Sequence, residues 1–189
     1  MNIPAHLEYA LGYSDAELQR LIKQSAFYAE FTEDVLRRSG LAPGMRVLDV
    51  GCGAGDVSLL AARLVGPTGH VTGVDQSPES ITLAQRRLET EGVTNIRLIV
   101  GDLADLTLSE SFDALIGRFV LMFLPDPSAA LNKLARHVRA GGIIAFQEMD
   151  IGATTRSMPM DLPLWQRCGE LISTTFQRAG VDIQMGPKL

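Results

Sequence analysis

Arg46-Val47-Leu48-Asp49-Val50-Gly51-Cys52-Gly53-Ala54-Gly55-Asp56 carries a short apolar run into a glycine turn, and Leu59, Leu60 and Leu64 then follow at helical spacing. A strand, a tight turn and a helix in that order form the first half of a parallel βα unit. Glycines at the turn let the chain bend sharply and let a ligand approach the backbone without meeting a Cβ. In open sheets of this kind the ligand crevice lies outside the carboxyl ends of the strands, at the switch point beside the first one. The turn is therefore the first candidate site.

The chain on either side extends the pattern. His70–Asp75, Ile96–Val100, Phe112–Gly117 and Ile143–Met149 read as four further strands. Gly66-Pro67 stops the first helix, with glycine past its end and proline after it. Ser77-Pro78 starts the next with a hydroxyl cap and proline at the first position, and Gly92 ends it. Asp126-Pro127 opens another helix that closes at Gly141-Gly142. Strand and helix alternate five times through short connections, which predicts parallel strands with right-handed crossovers. Nearly uniform apolarity of the strands predicts cover on both faces. The fold class is α/β, a doubly wound and mainly parallel sheet.

Residues 1–40 read as N-terminal helix, opened by the capping box Ser14-Asp15-Ala16-Glu17 and broken by Gly40 and Pro43-Gly44. Residues 41–150 form the α/β core. Residues 151–189 hold a loop rich in Met and Pro, then a helix from Pro163 to Ala179 with Leu164, Cys168, Leu171, Ile172 and Thr175 on one face.

Composition narrows the function classes. The 189 residues suit one domain, with a formal net charge of −5 and no dense Lys/Arg cluster. Nucleic acid and anionic membranes are unfavourable partners for such a surface. The N-terminus lacks a secretory n-region and h-region, and no apolar run is long enough to span a membrane. Cys52 and Cys168 lie far apart in different contexts, which fits a reducing, cytoplasmic compartment. No His/Cys/Asp set has metal-ligand spacing, so no metal is expected.

The turn also restricts the ligand. Asp75 stands twenty residues past Gly55 at the end of the second strand, placed to accept hydrogen bonds from both hydroxyls of a ribose. Relative to the dinucleotide fingerprint the third glycine comes one residue early, and Asp56 takes its place. A carboxylate in the first helical turn suits the helix dipole but repels a diphosphate there. Asp49 adds a second acid. The turn suits an adenosine without phosphate that carries cationic groups, as S-adenosylmethionine does with its ammonium and sulfonium charges.

Val47 to Gly55 resembles the first motif of the class I S-adenosylmethionine-dependent methyltransferases. Asp75 is similar to their ribose-binding acid, and Gly101-Asp102-Leu103 to the segment that holds the adenine. Phe112-Asp113 through Arg118 resembles the strand-four motif, and Arg139-Ala140-Gly141-Gly142 the turn before strand five. The resemblance runs from about Leu41 to Asp150. It implies a Rossmann-like methyltransferase fold, S-adenosylmethionine as cofactor, S-adenosylhomocysteine as product and a small-molecule methyl acceptor. It implies that Asp49 and Gly51 face the methionine end, that Gly53 and Gly55 bind the cofactor in the same turn, that Asp75 and Gln76 take ribose and adenine, and that Asp102 and Leu103 take the adenine. Arg118 would lie near the methionine or the substrate mouth; its other reading is a surface pair with a carboxylate. The N-terminal helices would form a lid, with Tyr13 and Gln24 as covering residues.

Other readings stay open. Cys52 near a helix N-terminus is either a reactive thiol or a packed side chain, and the absence of a matching His favours packing. Asp102 is either an adenine ligand or the cap of the next turn. Glu148 and Asp150 leave strand five as candidate general bases or as solvated loop acids. Met158-Pro159-Met160 and Trp165 line an acceptor pocket or pack the last helix. The family usually ends its sheet with an antiparallel hairpin, whereas this sequence stops at Leu189, just past Val181–Met185. Strand five is then expected as an apolar edge, covered by the rest of a longer protein or by a homodimer partner. Two rival functions remain: a non-catalytic S-adenosylmethionine-binding module and a nicotinamide-dependent oxidoreductase.

Overall fold

A computed structural model describes residues 15–151 and 162–189, with side chains from Arg20 onward in the first segment. Five strands form one parallel sheet in the order β3-β2-β1-β4-β5: β1 Arg46–Val50, β2 His70–Asp75, β3 Ile96–Val100, β4 Phe112–Arg118 and β5 Val138–Gln147. Helices α1 Asp15–Arg38, α2 Asp56–Val65, α3 Pro78–Glu91, α4 Pro127–Leu134 and α5 Pro163–Arg178 pack around it. The chain moves outward from β1 to β3 and then returns to β4, so the switch point lies between β1 and β4.

The side-chain alternation of β1 divides the core. Val47 packs with Leu36, Leu60, Val71 and Ile116 on the face covered by α1 and α2. Leu48 and Val50 pack with Val74, Phe112, Leu115 and Leu134 on the other. The expected caps form: Ser77 Oγ accepts from the Ser80 N–H at 3.0 Å, Asp126 Oδ1 from the Ala129 N–H at 2.9 Å, and the Gly66 N–H donates to Ala62 O at 3.0 Å.

Three sequence expectations need correction. The β3–β4 crossover contains no helix; residues 101–111 run as turns and coil, and Leu103, Leu106 and Leu108 do the packing a helix would do. Helix α4 ends at Leu134 and passes through a 3-10 turn at Ala135–His137, so Arg139 to Gly142 lie inside β5 rather than in a turn before it. There the pairing shifts register between Phe112 and Ala114, and a Cβ on Gly142 would come within 2.8 Å of Asp113 O, which explains the glycine. The predicted face of α5 does not enter a core either: Leu164 and Leu171 are 75% and 60% exposed, and the helix buries Gly169 instead.

β5 is an edge of the described sheet, and Ile144 on it is 50% exposed. Among the described residues no strand follows it. Val181, Ile183 and Met185 alternate inward and are buried, with Asp182 N–H donating to Met122 O at 2.8 Å and Ile151 N–H to Ile183 O at 3.0 Å. No helix of the described residues is long and apolar enough to cross a membrane, and none of their His, Cys, Asp and Glu side chains cluster to hold a metal.

Candidate functional site

The three glycines of the turn all have left-handed backbones, with φ of 64° at Gly51, 53° at Gly53 and 82° at Gly55. L side chains rarely adopt these angles. The turn is fastened to β2 from two sides: Cys52 N–H donates to Val74 O at 3.0 Å, and Gly53 N–H donates to Asp75 Oδ2 at 2.9 Å. Asp75 Oδ1 accepts from the Ser77 N–H at 2.9 Å. Burial pushes the Asp75 carboxyl above its ordinary pKa, opposed by the backbone donors of Ser77, Gly53 and Gln76.

A cavity of about 890 Å³ opens over this turn and the carboxyl ends of the strands. Gly51, Gly53, Asp75, Gln76, Asp102, Leu103 and Arg118 all line it. These seven come from four separate strand ends, and the sheet brings them together. Asp49 and Gly55 are not in the lining. Gly55 lies against α3, where an added Cβ would meet Ala84 Cβ at 3.2 Å. Asp49 is buried beneath the turn, and its Oδ2 accepts from Ser58 Oγ at 2.5 Å. Its Oδ1 is buried with no hydrogen-bond partner among the described residues. Burial raises the Asp49 pKa to about 7, against the Ser58 hydrogen bond and the attraction of Arg118.

Asp56 lines the cavity, but not as an unanswered acid: Arg87 of α3 pairs with it at 2.8 Å and also donates to Ala54 O at 2.6 Å. Charge at the helix start is thus balanced from within the protein. Asp102 Oδ1 accepts from the Ala104 N–H at 2.8 Å, so it caps its own turn while facing the cavity. Leu103 is both cavity wall and core.

Arg118 forms no surface pair. Nη1 donates to Thr32 Oγ1 at 3.0 Å and Nη2 to Ser25 Oγ at 2.9 Å, and Thr32 Oγ1 donates to Gln147 Oε1 at 2.9 Å. Ser25 and Thr32 are buried, so this network locks α1 to the ends of β4 and β5. Burial pulls the Arg118 pKa down, and Asp56, Asp49 and Tyr28 oppose that. Phe119 beside it has φ of 57°, a strained angle for an aromatic residue, and its ring meets Tyr28 edge-on at 5.3 Å.

Glu148 is neither a solvated loop acid nor in the cavity lining. Its Oε1 accepts from the backbone N–H groups of Val120 at 2.9 Å and Leu121 at 2.8 Å, which ties the end of β5 to the turn after β4. Burial raises its pKa. Cys52 is a packed side chain: burial and then the charges of Asp49 and Asp75 push its thiol well above the ordinary value. Gln24 lines the cavity with Arg20, Leu21 and Tyr28 from α1, whereas Trp165 does not. Tyr13 and Met158-Pro159-Met160 lie outside the described residues. Phe119, Val120, Met122 to Pro125, Phe176 and Val181 also line the cavity, and none of them was expected from the sequence, whereas Leu121 between them is buried in the core. The apolar run Val120 to Leu124 was the available signal, because it outlasts the strand that precedes it.

The geometry accords with the comparisons. A family model described as a methyltransferase domain matches residues 41–179. A demethylmenaquinone methyltransferase from Geobacillus kaustophilus is 33% identical over 117 residues, which is 61% of this chain and 50% of that protein. An arsenite methyltransferase from Halobacterium salinarum is 35% identical over 112 residues, 59% of this chain and 29% of that protein. The chain therefore spans half or less of these relatives. Among solved structures, a SAM-dependent methyltransferase from Aquifex aeolicus superposes with a TM-score of 0.67 at 22% identity, over 90% of this chain and 89% of that one. That likeness establishes a Rossmann-like methyltransferase fold. With the matched span covering the whole sheet and the glycine turn, the chain belongs to the methyltransferase domain family.

Proposed function

We propose that this chain transfers a methyl group from S-adenosylmethionine to a small organic acceptor. One observation carries the reading: the acid ending β2 is held by the Gly53 and Ser77 N–H groups at the wall of the same cavity that Asp102 and Leu103 enter from β3. A Cβ built on Gly53 meets nothing within 4 Å, so the turn leaves open space on the ligand side. The cavity is within the ~300–1,000 Å³ range of small-molecule sites. These residues fit the cofactor.

In this reading Asp75 and Gln76 hold ribose and adenine, Asp102 and Leu103 hold the adenine, and Gly51 and Gly53 admit the amino-acid end. Asp49 and Gly55 support the turn from beneath. Arg118 sits at the mouth as an anchor for α1, and residues 1–40 act as the lid of the core formed by residues 41–150, with residues 151–189 part of the same domain. When bound, S-adenosylmethionine supplies an electrophilic methyl group on a sulfonium sulfur. The protein's contribution is to orient that group and the acceptor and to exclude water, and positioning of this kind supplies roughly 7–11 kcal/mol in favourable cases. The negative net charge supports a role without nucleic acid, the two distant cysteines fit a cytoplasmic one, and the half-exposed Ile144 on the β5 edge supports a homodimer as one way to cover it.

Thermal unfolding with S-adenosylhomocysteine and with oxidised NAD tests the reading. A ligand at a hundredfold its Kd adds about 2.7 kcal/mol of stability, a shift of several degrees. The expected result is a shift with adenosylhomocysteine only, lost in Asp75→Ala, followed by consumption of S-adenosylmethionine with an acceptor. Stabilisation by NAD alone would overturn the reading in favour of an oxidoreductase. Binding without turnover across acceptors would leave a binding module.

A further inference from the structure

The cavity has two chemically different sides. The glycine turn and the ends of β2 and β3 present backbone, Asp75 and Asp102. The opposite side comes from the turn after β4, the exit of β5, α5 and the segment after it. It presents Phe119, Met122, Phe123, Met149, Phe176 and Val181. None of these six is charged; besides Asp75 and Asp102, the charged residues that line the cavity among the described ones are Arg20, Asp56, Arg118, Asp126 and Lys133. Each of these charges has a partner: Lys133 donates to Ala104 O at 2.9 Å, Asp126 caps α4, Arg118 donates to Ser25 and Thr32, Arg87 pairs with Asp56 at 2.8 Å, and Arg20 donates to Gln24 Oε1 at 3.2 Å. Glu148, the acid nearest in sequence to this side, is turned to the Val120 and Leu121 N–H groups.

The wall is also built as a surface rather than left over from the core. Ile172 and Phe176 are one helical turn apart on α5 and both face the cavity. Ile172 is exposed, because what it faces is the cavity mouth rather than another element. Behind Phe176 stands a continuous apolar cluster of Leu121, Met122, Val181 and Met185, so the wall is backed by packed side chains. A charged ligand pressed against such a wall would lose its hydration without gaining a counter-charge. An apolar ring system would lose nothing and would displace water from apolar surface.

We infer that the apolar side of the cavity is the acceptor site and that it takes an uncharged, predominantly apolar molecule of aromatic-ring size. The inference rests on the cofactor reading for the other side. It excludes acceptors that carry a carboxylate, phosphate or ammonium group at the end that receives the methyl.

The experiment titrates the full chain first with S-adenosylhomocysteine by calorimetry, then, with that ligand saturating, with uncharged N-phenylnaphthylamine and its anionic relative anilinonaphthalene sulfonate by fluorescence. Absence of adenosylhomocysteine binding in the first titration overturns the cofactor reading by itself. The acceptor inference expects the uncharged probe to bind at least about tenfold more tightly than the sulfonate, a difference set by the unpaired charge. It also expects Ile172→Lys and Phe123→Arg each to weaken the uncharged probe about tenfold while changing adenosylhomocysteine affinity less than about twofold. Ile172 is exposed, so its variant has no packing reason to misfold. Leu164→Ser, at an exposed position on α5 outside the cavity, leaves both affinities unchanged. Equal binding of the two probes, or probe binding that survives both cavity variants, would overturn the inference.

Discussion

The guanidinium of Arg118 donates to the Thr32 hydroxyl at 3.0 Å, and that hydroxyl donates in turn to Gln147 Oε1 at 2.9 Å. One buried oxygen of the covering helix thus satisfies groups at the ends of two strands. Thr32→Val keeps the shape and leaves two part-buried polar groups short of a partner. The expected cost is about 1–3 kcal/mol in urea unfolding, with faster amide exchange along α1. A change below about 0.5 kcal/mol would show that water replaces the hydroxyl.

Asp49 gives the protein a pH dependence of defined sign. Its carboxyl titrates near 7 in the folded chain against 3.8 as a free side chain. Between those values the folded state binds more protons than the unfolded one, so stability falls as pH rises through that window and levels off above it. Asp49→Asn keeps an oxygen for the Ser58 hydroxyl and removes the charge. Unfolding at pH 5 and pH 8 should show a smaller fall for the variant, and a higher stability than the parent at pH 8, by up to about 4 kcal/mol. An unchanged pH slope would place the titration elsewhere.

Two glycines of the turn separate fold from binding. At Gly51 a Cβ would sit 2.5 Å from Val120 Cγ2, so Gly51→Ala damages packing as well as backbone. At Gly53 a Cβ meets nothing, and Gly53→Ala carries only the backbone cost of about 1–2 kcal/mol. Calorimetry of Gly53→Ala should show adenosylhomocysteine binding weakened by tenfold or more (about 1.4 kcal/mol) in a chain that still folds cooperatively. Retained affinity would move the cofactor off this turn.

Glu148 holds two backbone donors rather than a substrate proton. Glu148→Gln retains the accepting oxygen, and methyl turnover should stay within a few-fold of the parent. Glu148→Ala strands the Val120 and Leu121 N–H groups and should cost roughly 2–4 kcal/mol of stability. A Gln variant that folds normally but turns over a hundredfold more slowly would restore Glu148 as a base.

Local chemistry made much of this protein readable from its sequence. β1 to β4 appear within a residue of the limits that apolar runs suggested, and Ser77 and Asp126 cap their helices as written. The turn glycines and Asp75 stand within one βαβ unit, so spacing alone places them together. These features depend on groups a few residues apart, and periodicity encodes such neighbours. What the fold decided is non-local. Arg118 finds Ser25 and Thr32 across 93 and 86 residues, and Thr32 finds Gln147 across 115. Whether Glu148 meets water or the Val120 amide depends on how β5 exits beside β4. The α5 stripe reads as a core face by period, yet the fold gives it a cavity mouth and solvent. A residue's chemistry is written in the chain, but its partner and its burial are fixed only when distant segments pack.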